Sequence, residues 1–272
     1  MKVNLILIDA MNLIRRIYAV QERPFLLLDE LSDKTKVQII HNTKLNANKA
    51  LQKILNELKP THALAVFDCK NPCWRYQLFA DYKKGRKQMP THLQESLVDI
   101  QDGFLELGVD SLESENDEAD DLIATLAVKV ALRGQHTTII STDKGYLPIL
   151  GQNIDVYDYF NKRYMDEEYV RNKFSVKSSQ LIDYWTMTGD NTNKIPGVTG
   201  IGPVTAADLL QQYGSLNAIL AAEDLKKSLK RKFTECHDQI QISQQLLNLK
   251  KDIPLGFNLK DIRLEHEELT LD

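Results

Sequence analysis

The chain has 272 residues, enough for one large domain, or one medium and one small, around a substantial buried core. Its 43% hydrophobic and 26% charged content is that of a soluble globular protein, and a net charge of −4 excludes adhesion to nucleic acid by average charge, so any such contact must come from basic residues gathered locally. Three cysteines, Cys69, Cys73 and Cys236, exclude an even disulfide framework and lack the partners that zinc spacing requires, which points to plain thiols in a reducing cytoplasmic compartment.

The chain opens on an apolar run, Val3 to Ile8, ended by Asp9. It is too short to span a bilayer and no small-residue cleavage site follows it, so it reads as a buried strand. Residues 25–45, where Leu26-Leu27-Leu28 adjoins charged residues and Asn, read as a variable insertion. Asn46 to Leu58 places Ala50, Leu51, Ile54, Leu55 and Leu58 on one helix face. Ala63 to Phe67 and Thr137 to Ile140 are further short runs of large aliphatic and β-branched residues, as parallel strands covered on both faces require. Between them Glu118 to Leu132 is helical in pattern, with Gly134 as its stop. This alternation predicts an α/β domain with a mainly parallel sheet flanked by helices. From about residue 180 the pattern is helical, and Ile195 to Pro203 reads as a tight turn between two helices. The segment from Asp252 onward has little periodicity and is expected to lie at the periphery. The expected organisation is therefore 1–179, 180–252 and a tail, 253–272.

Each predicted strand is followed almost at once by an aspartate: Asp9, Asp68 and Asp143. Strand C-termini of an open parallel sheet share one edge, where ligands bind. A fourth group of acids, in Glu115 to Asp121, opens a helix, with Glu118 and Asp121 three apart on one face and Asp120 beside them. Acids in a first helical turn also complement the macrodipole, and an Asp after one strand is ordinary turn chemistry. The coincidence of four sources at one edge points instead to a hard cation, Mg²⁺ or Mn²⁺ rather than zinc.

Residues 70–87 hold Lys70, Arg75, Lys83, Lys84, Arg86 and Lys87 against the single acid Asp81, interleaved with Trp74, Tyr76, Phe79 and Tyr82. Such a positive island suits phosphates and unstacked bases, although its aromatics could equally pack on the domain. Further on, Gly197, Gly200 and Gly202 lead into a helix beginning at Pro203. A glycine turn feeding a helix N-terminus can seat a phosphate without reading base sequence.

Taken in order, Ile8-Asp9, Val66-Phe67-Asp68, Asp81-Tyr82-Lys83-Lys84-Gly85-Arg86, Glu118-Ala119-Asp120-Asp121, Ser141-Thr142-Asp143-Lys144, Gly189-Asp190 and Ile195 to Gly202 resemble the 5′ nuclease family. That family includes the N-terminal domain of bacterial DNA polymerase I and the phage 5′ exonucleases. The resemblance runs from Val3 to about Lys250. It implies a PIN-like nuclease domain followed by a helix–three-turn–helix DNA-binding region, and a flap endonuclease or 5′-3′ exonuclease acting on branched or flapped DNA with Mg²⁺. It further implies that Asp9, Asp68, Glu118, Asp120 and Asp121 hold a first metal, and that Tyr82, Lys83 and Arg86 lie in a gateway beside the scissile phosphate. Gly200, Ile201, Gly202, Pro203, Val204 and Thr205 would touch the duplex backbone. Main-chain oxygens of Met187, Thr188, Pro196, Val198 and Ile201 would hold K⁺.

The pattern breaks at two positions. Where typical members carry two further aspartates, this chain has Gly145 and Asn193, which leaves Asp143 and Asp190 as the remnant of a second metal site. Attenuated or narrowed cleavage is the expected consequence. A DNA-junction binding protein with little catalysis is the competing reading. A phosphatase-like α/β hydrolase would need an acid two residues after Asp9, where Met11 stands. Nothing in the sequence requires an organic cofactor, a membrane or more than a monomer.

Overall fold

The computed structural model describes residues 2–28, 30–69 and 71–265. Its strands are β1 (Asn4–Asp9), β2 (His62–Phe67), β3 (Asp110–Glu113), β4 (His136–Ile140), β5 (Ile154–Asp158) and β6 (Arg163–Tyr164), joined in one sheet of order β3-β2-β1-β4-β5-β6. Every pairing is parallel except β5 with β6. The three apolar runs expected from sequence are β1, β2 and β4, the three central strands. Both faces of these strands are covered, so successive side chains enter different cores. Ile6, Ile8, Ala63 and Ala65 face one, and Leu5, Leu7, Leu64 and Val66 the other.

Helices α1 (Ala10–Glu22) and α2 (Asp33–Leu58) pack on the first face. A short α3 (Trp74–Leu78) lies in the basic segment, and α4 (Thr91–Glu95) and α5 (Leu97–Leu105) follow it. The opposite face is covered by α6 (Ala119–Ala131), whose end is marked by Gly134 at φ 69°. The variable insertion expected over 25–45 is corrected in its second half. Ser32 caps α2 by accepting the Thr35 N–H at 3.2 Å, and Ile39, Thr43 and Ala47 continue the buried stripe four residues apart. Polar and charged neighbours mask that stripe in the sequence.

After α7 (Glu167–Phe174), the helical region comprises α8 (Leu181–Thr188), α9 (Pro203–Tyr213), α10 (Leu216–Ala221), α11 (Lys227–Glu235) and α12 (His237–Leu247). Its Leu181, Met187, Val198, Ile201, Leu210 and Ile240 belong to the same core as Leu5, Leu7 and Ile123 beneath the sheet. The tail is not peripheral as far as it is described. Ile253 and Ile262 are buried, Leu264 N–H donates to the Thr61 carbonyl at 3.1 Å, and His62 bridges to Arg263. A few isolated apolar anchors suffice to dock it, and such anchors leave no period to read. Residues 266–272 lie outside the described residues. Among the described residues no helix is long and apolar enough to cross a membrane.

Strand order runs outward from β1 to β2 and β3 on one side and from β4 to β5 on the other. The reversal opens a crevice at the C-terminal ends of β1 and β4, where open parallel sheets bind ligands.

Candidate active site

Asp9 closes β1 inside that crevice. Its Oδ1 accepts the Asn12 N–H at 3.1 Å, and its Oδ2 accepts the Ser141 hydroxyl at 2.8 Å. Burial, with Asp68 and then Asp143 repelling it, pushes its pKa up to about 7 against these two donors. Asp68, just past β2, accepts the Ala119 N–H at 3.2 Å and so caps α6. Asp120, in the first turn of α6, accepts the Tyr146 hydroxyl at 2.6 Å. Its pKa stands well above the usual carboxylate range, through burial and then repulsion by Asp143, Asp9 and Asp68, with Lys83 opposing. Asp143 caps the 3-10 segment Lys144–Ile149 by accepting the Gly145 N–H at 2.7 Å.

These four aspartates line one space of about 220 Å³, rimmed by Arg15, Arg16, Lys83 and Arg86. The donor set is all oxygen, and its acids repel one another, which is the chemistry a hard divalent cation would relieve. Among the described residues no three His, Cys, Asp or Glu side chains are gathered tightly enough to cage an ion as they stand.

Glu118 and Asp121 turn toward Arg75, which is only 2% exposed. Its guanidinium reaches Glu118 at 2.5 Å and both Asp121 oxygens at 2.8 Å, and it also donates to the carbonyls of Leu246, in the last turn of α12, and Asn248, just past it. Asp121 further accepts the Trp74 indole N–H at 3.0 Å and the Lys250 N–H at 2.9 Å. Fully enclosed by these three partners, it does not line the space shared by the other acids. Glu118 also takes the Lys83 ammonium at 2.6 Å. Burial raises its pKa, but Lys83 and Arg75 together outweigh burial and the net shift is downward. Arg75 reads in the sequence as one more cation of the basic island. Nothing in its spacing reveals that it is the buried tie between α3, α6 and α12. Tyr146 and Ser141, which hold Asp120 and Asp9, carry no sequence pattern of their own beyond their nearness to Asp143.

The basic segment is ordered by the same contacts. Tyr82 is buried, Lys83 takes a left-handed φ of 54°, and its N–H donates to the Asn193 carbonyl at 2.9 Å. Arg86 is exposed at the rim. Asn193 and Asp190 are locked together, the Asn193 amide donating to Asp190 at 2.7 Å and the Thr192 N–H to its other oxygen at 2.9 Å. Asp190 lies with Asp120 and Asp143 along an adjoining cleft of about 400 Å³.

The glycine turn joins α8 to α9, with Pro203 at the first helical position as expected. Val198 and Ile201 are buried and anchor it, while Gly200, Gly202, Pro203 and Val204 face outward and Thr205 is half-buried. Gly189 and Gly197 lie back to back: a Cβ on Gly197 would overlap the Gly189 nitrogen and stand 2.6 Å from the Met187 oxygen. The Met187 carbonyl accepts the Val198 N–H at 2.8 Å, Val198 that of Ile201 at 3.0 Å, and Pro196 the Ser243 hydroxyl at 3.0 Å. Each keeps a second lone pair for a further donor or cation. The Thr188 hydroxyl donates to the Gly189 carbonyl at 3.2 Å, and the Lys232 ammonium reaches the Gly200 carbonyl at 2.8 Å.

Comparison with known proteins bears on this arrangement. Residues 4–175 match the model of the 5′-3′ exonuclease N-terminal resolvase-like domain, and residues 176–270 that of the 5′-3′ exonuclease C-terminal SAM fold. A flap endonuclease Xni of Colwellia psychrerythraea is 66% identical over 269 residues, spanning 97% of this chain and 93% of that one. The flap endonuclease Xni of Aeromonas hydrophila is 46% identical over 263 residues, spanning 96% and 95%. Among solved structures, T5 5′-exonuclease with bound zinc superposes with a TM-score of 0.73 at 19% identity, covering 90% of this chain and 89% of that one, a likeness of fold.

Proposed function

The chain belongs to the 5′-3′ exonuclease family, and on that premise we propose that it is a structure-selective flap endonuclease and 5′-3′ exonuclease, hydrolysing branched or flapped DNA with Mg²⁺ as a cytoplasmic monomer. The observation that carries this reading is the convergence of Asp9, Asp68, Asp120 and Asp143, from four separate stretches of chain, on one space edged by Lys83 and Arg86.

In this reading Asp9, Asp68 and Asp120 hold the first ion, with Mn²⁺ able to replace Mg²⁺. Such an ion activates water and neutralises charge on a phosphate under attack. Ser141 and Tyr146 orient the Asp9 and Asp120 oxygens. Lys83 and Arg86 would neutralise charge on the phosphate, and Glu118, bonded to Lys83, would be a further oxygen donor for the ion. Asp121 acts from behind, fixing Arg75 and so the register of α6. The outward residues of the turn, Gly200 to Thr205, hold the duplex backbone without reading sequence. Main-chain oxygens of Met187, Thr188, Pro196, Val198 and Ile201 would hold K⁺ beside them, and its positive charge would favour the duplex backbone there.

Asp143 and Asp190 are the remnant of a second site. Gly145 N–H already bonds one Asp143 oxygen, and Thr192 N–H and the Asn193 amide bond both Asp190 oxygens, so a second ion would be weakly held and cleavage attenuated. That same observation favours the second reading, a DNA-junction binding protein with little catalysis. A labelled 5′-flap duplex with Mg²⁺ separates the two. The nuclease reading requires product from the natural chain and none from Asp120→Ala, whereas tight binding with equal, negligible product from both sustains the binding reading. Gly145→Asp with Asn193→Asp raises the rate if ligand loss is the defect.

A further inference from the structure

The larger cleft has a wall that the reaction above leaves unused. Resting on the nuclease reading, we propose that Trp185 and Phe174 form a stacking seat for one unpaired nucleobase of the DNA substrate, with Lys144 placed for the adjoining phosphate. Trp185 lies on α8 next to Tyr184, which with Leu181 and Met187 forms the buried stripe of that helix. One residue along, Trp185 falls at the edge of the stripe, half-buried, so that it packs against the core and also lines the cleft. Phe174, at the end of α7, stands edge-on to it with ring centroids 5.6 Å apart at 89°, and edge-on to Tyr184 at 5.6 Å and 68°. The indole is therefore braced, and a rigid aromatic surface loses little conformational freedom when it binds.

The same cleft is lined by Asp120 and Asp143, so a base seated on Trp185 belongs to a nucleotide close to the phosphate under attack. Two positions lining this cleft are uncharged where they could have been acidic, while Asp190 adds a carboxylate there. Gly145 adds no side chain, and the amide of Asn193 is bonded to Asp190. Lys144, which is exposed, also lines the cleft and supplies positive charge to it. A volume of about 400 Å³ lies within the roughly 300–1,000 Å³ typical of small-ligand sites and admits a single nucleotide. Aromatic stacking beside a cation grips single-stranded nucleic acid with little regard to sequence, because every base has a π-face. The ligand is thus a nucleotide of the unpaired strand, and the seat distinguishes a flap from a fully paired duplex.

The test uses the cleavage-deficient Asp120→Ala chain with Mg²⁺ and 5′-flap duplexes carrying 5-iodouracil at one flap position at a time. Photocrosslinking at one of these positions should attach the base to Trp185 or Phe174, as peptide mapping reads. In the same background Trp185→Ala should bind the flapped duplex about tenfold more weakly, the scale of one lost stack, with fully paired duplex bound as before. Trp185→Phe should retain most of the preference for the flap. Crosslinks that fall outside both rings at every position overturn the proposal, as does an equal loss of paired-duplex binding in Trp185→Ala. Should the natural chain cleave nothing, the nuclease reading fails, while the crosslink still reports on the seat.

Discussion

Asp9 sits where its charge is least favoured, in a buried crevice facing Asp68 and Asp143. Its pKa rises from 3.8 to about 7 on folding, so between those values the folded chain holds a proton that the unfolded chain has released. Without divalent metal, this group therefore contributes a loss of stability as pH rises through that window, on the order of 4 kcal/mol at most. Asp120 acts in the same direction. Glu118 works in the opposite sense: its lowered pKa gives stability present above its ordinary 4.5 and lost as pH falls below it. Denaturation in urea at a series of pH values with chelator should show Asp9→Asn more stable than the natural chain at about pH 8 and the gap closing toward about pH 4, with cleavage abolished throughout. A gap that does not change with pH would contradict the role given to Asp9. Arg75 presents the converse case, a buried cation that satisfies two buried acids. Arg75→Met leaves Asp121 without a countercharge and Glu118 with Lys83 alone, and should cost about 3–5 kcal/mol. Arg75→Met with Asp121→Leu should lose less than the single change, and an equal or greater loss in the double variant would remove Asp121 as the main partner.

At the level of elements, the turn between α8 and α9 makes a sharp distinction among glycines. Gly197→Ala forces the chain apart from Gly189 and Met187 and should destabilise the protein by more than about 2 kcal/mol, weakening duplex binding with it. Gly202→Ala meets nothing within 4 Å and should leave the melting temperature near that of the natural chain. Equal effects at the two positions would show that backbone approach does not decide this turn. The elements legible in the sequence were those with an unbroken signal. β1, β2 and β4 are continuous apolar runs because both faces are covered, and α6 carries a full stripe with a cap and a stop. β3 is an edge strand with exposed residues and β6 has two residues, so neither can be told from loop. The acids of the crevice were legible by their place after strands, because parallel topology forces those ends together. Which of them would face the crevice was not: Asp121 and Asp120 are neighbours, and only the burial of Arg75, 46 residues away in sequence from Asp121, separates their roles.

Across the whole molecule, one core runs from beneath the sheet into the helical region, so the acid-lined edge and the glycine turn are parts of one packed body. Arg75 adds a polar tie by bonding α6 acids and carbonyls at the end of α12 together. The net charge of −4 conceals a strong local pattern, four aspartates in the crevice and Arg15, Arg16, Lys83 and Arg86 around it. Such a pattern draws a cation inward and a polyanion across it. Calorimetric titration of Mn²⁺ into the chelator-treated chain tests this most directly. The natural chain should bind an ion with release of protons near neutral pH, and Asp9→Asn and Asp120→Asn, each shown to be folded, should lose that binding. Binding that persists undiminished in both variants would contradict the proposal that these aspartates form the metal site.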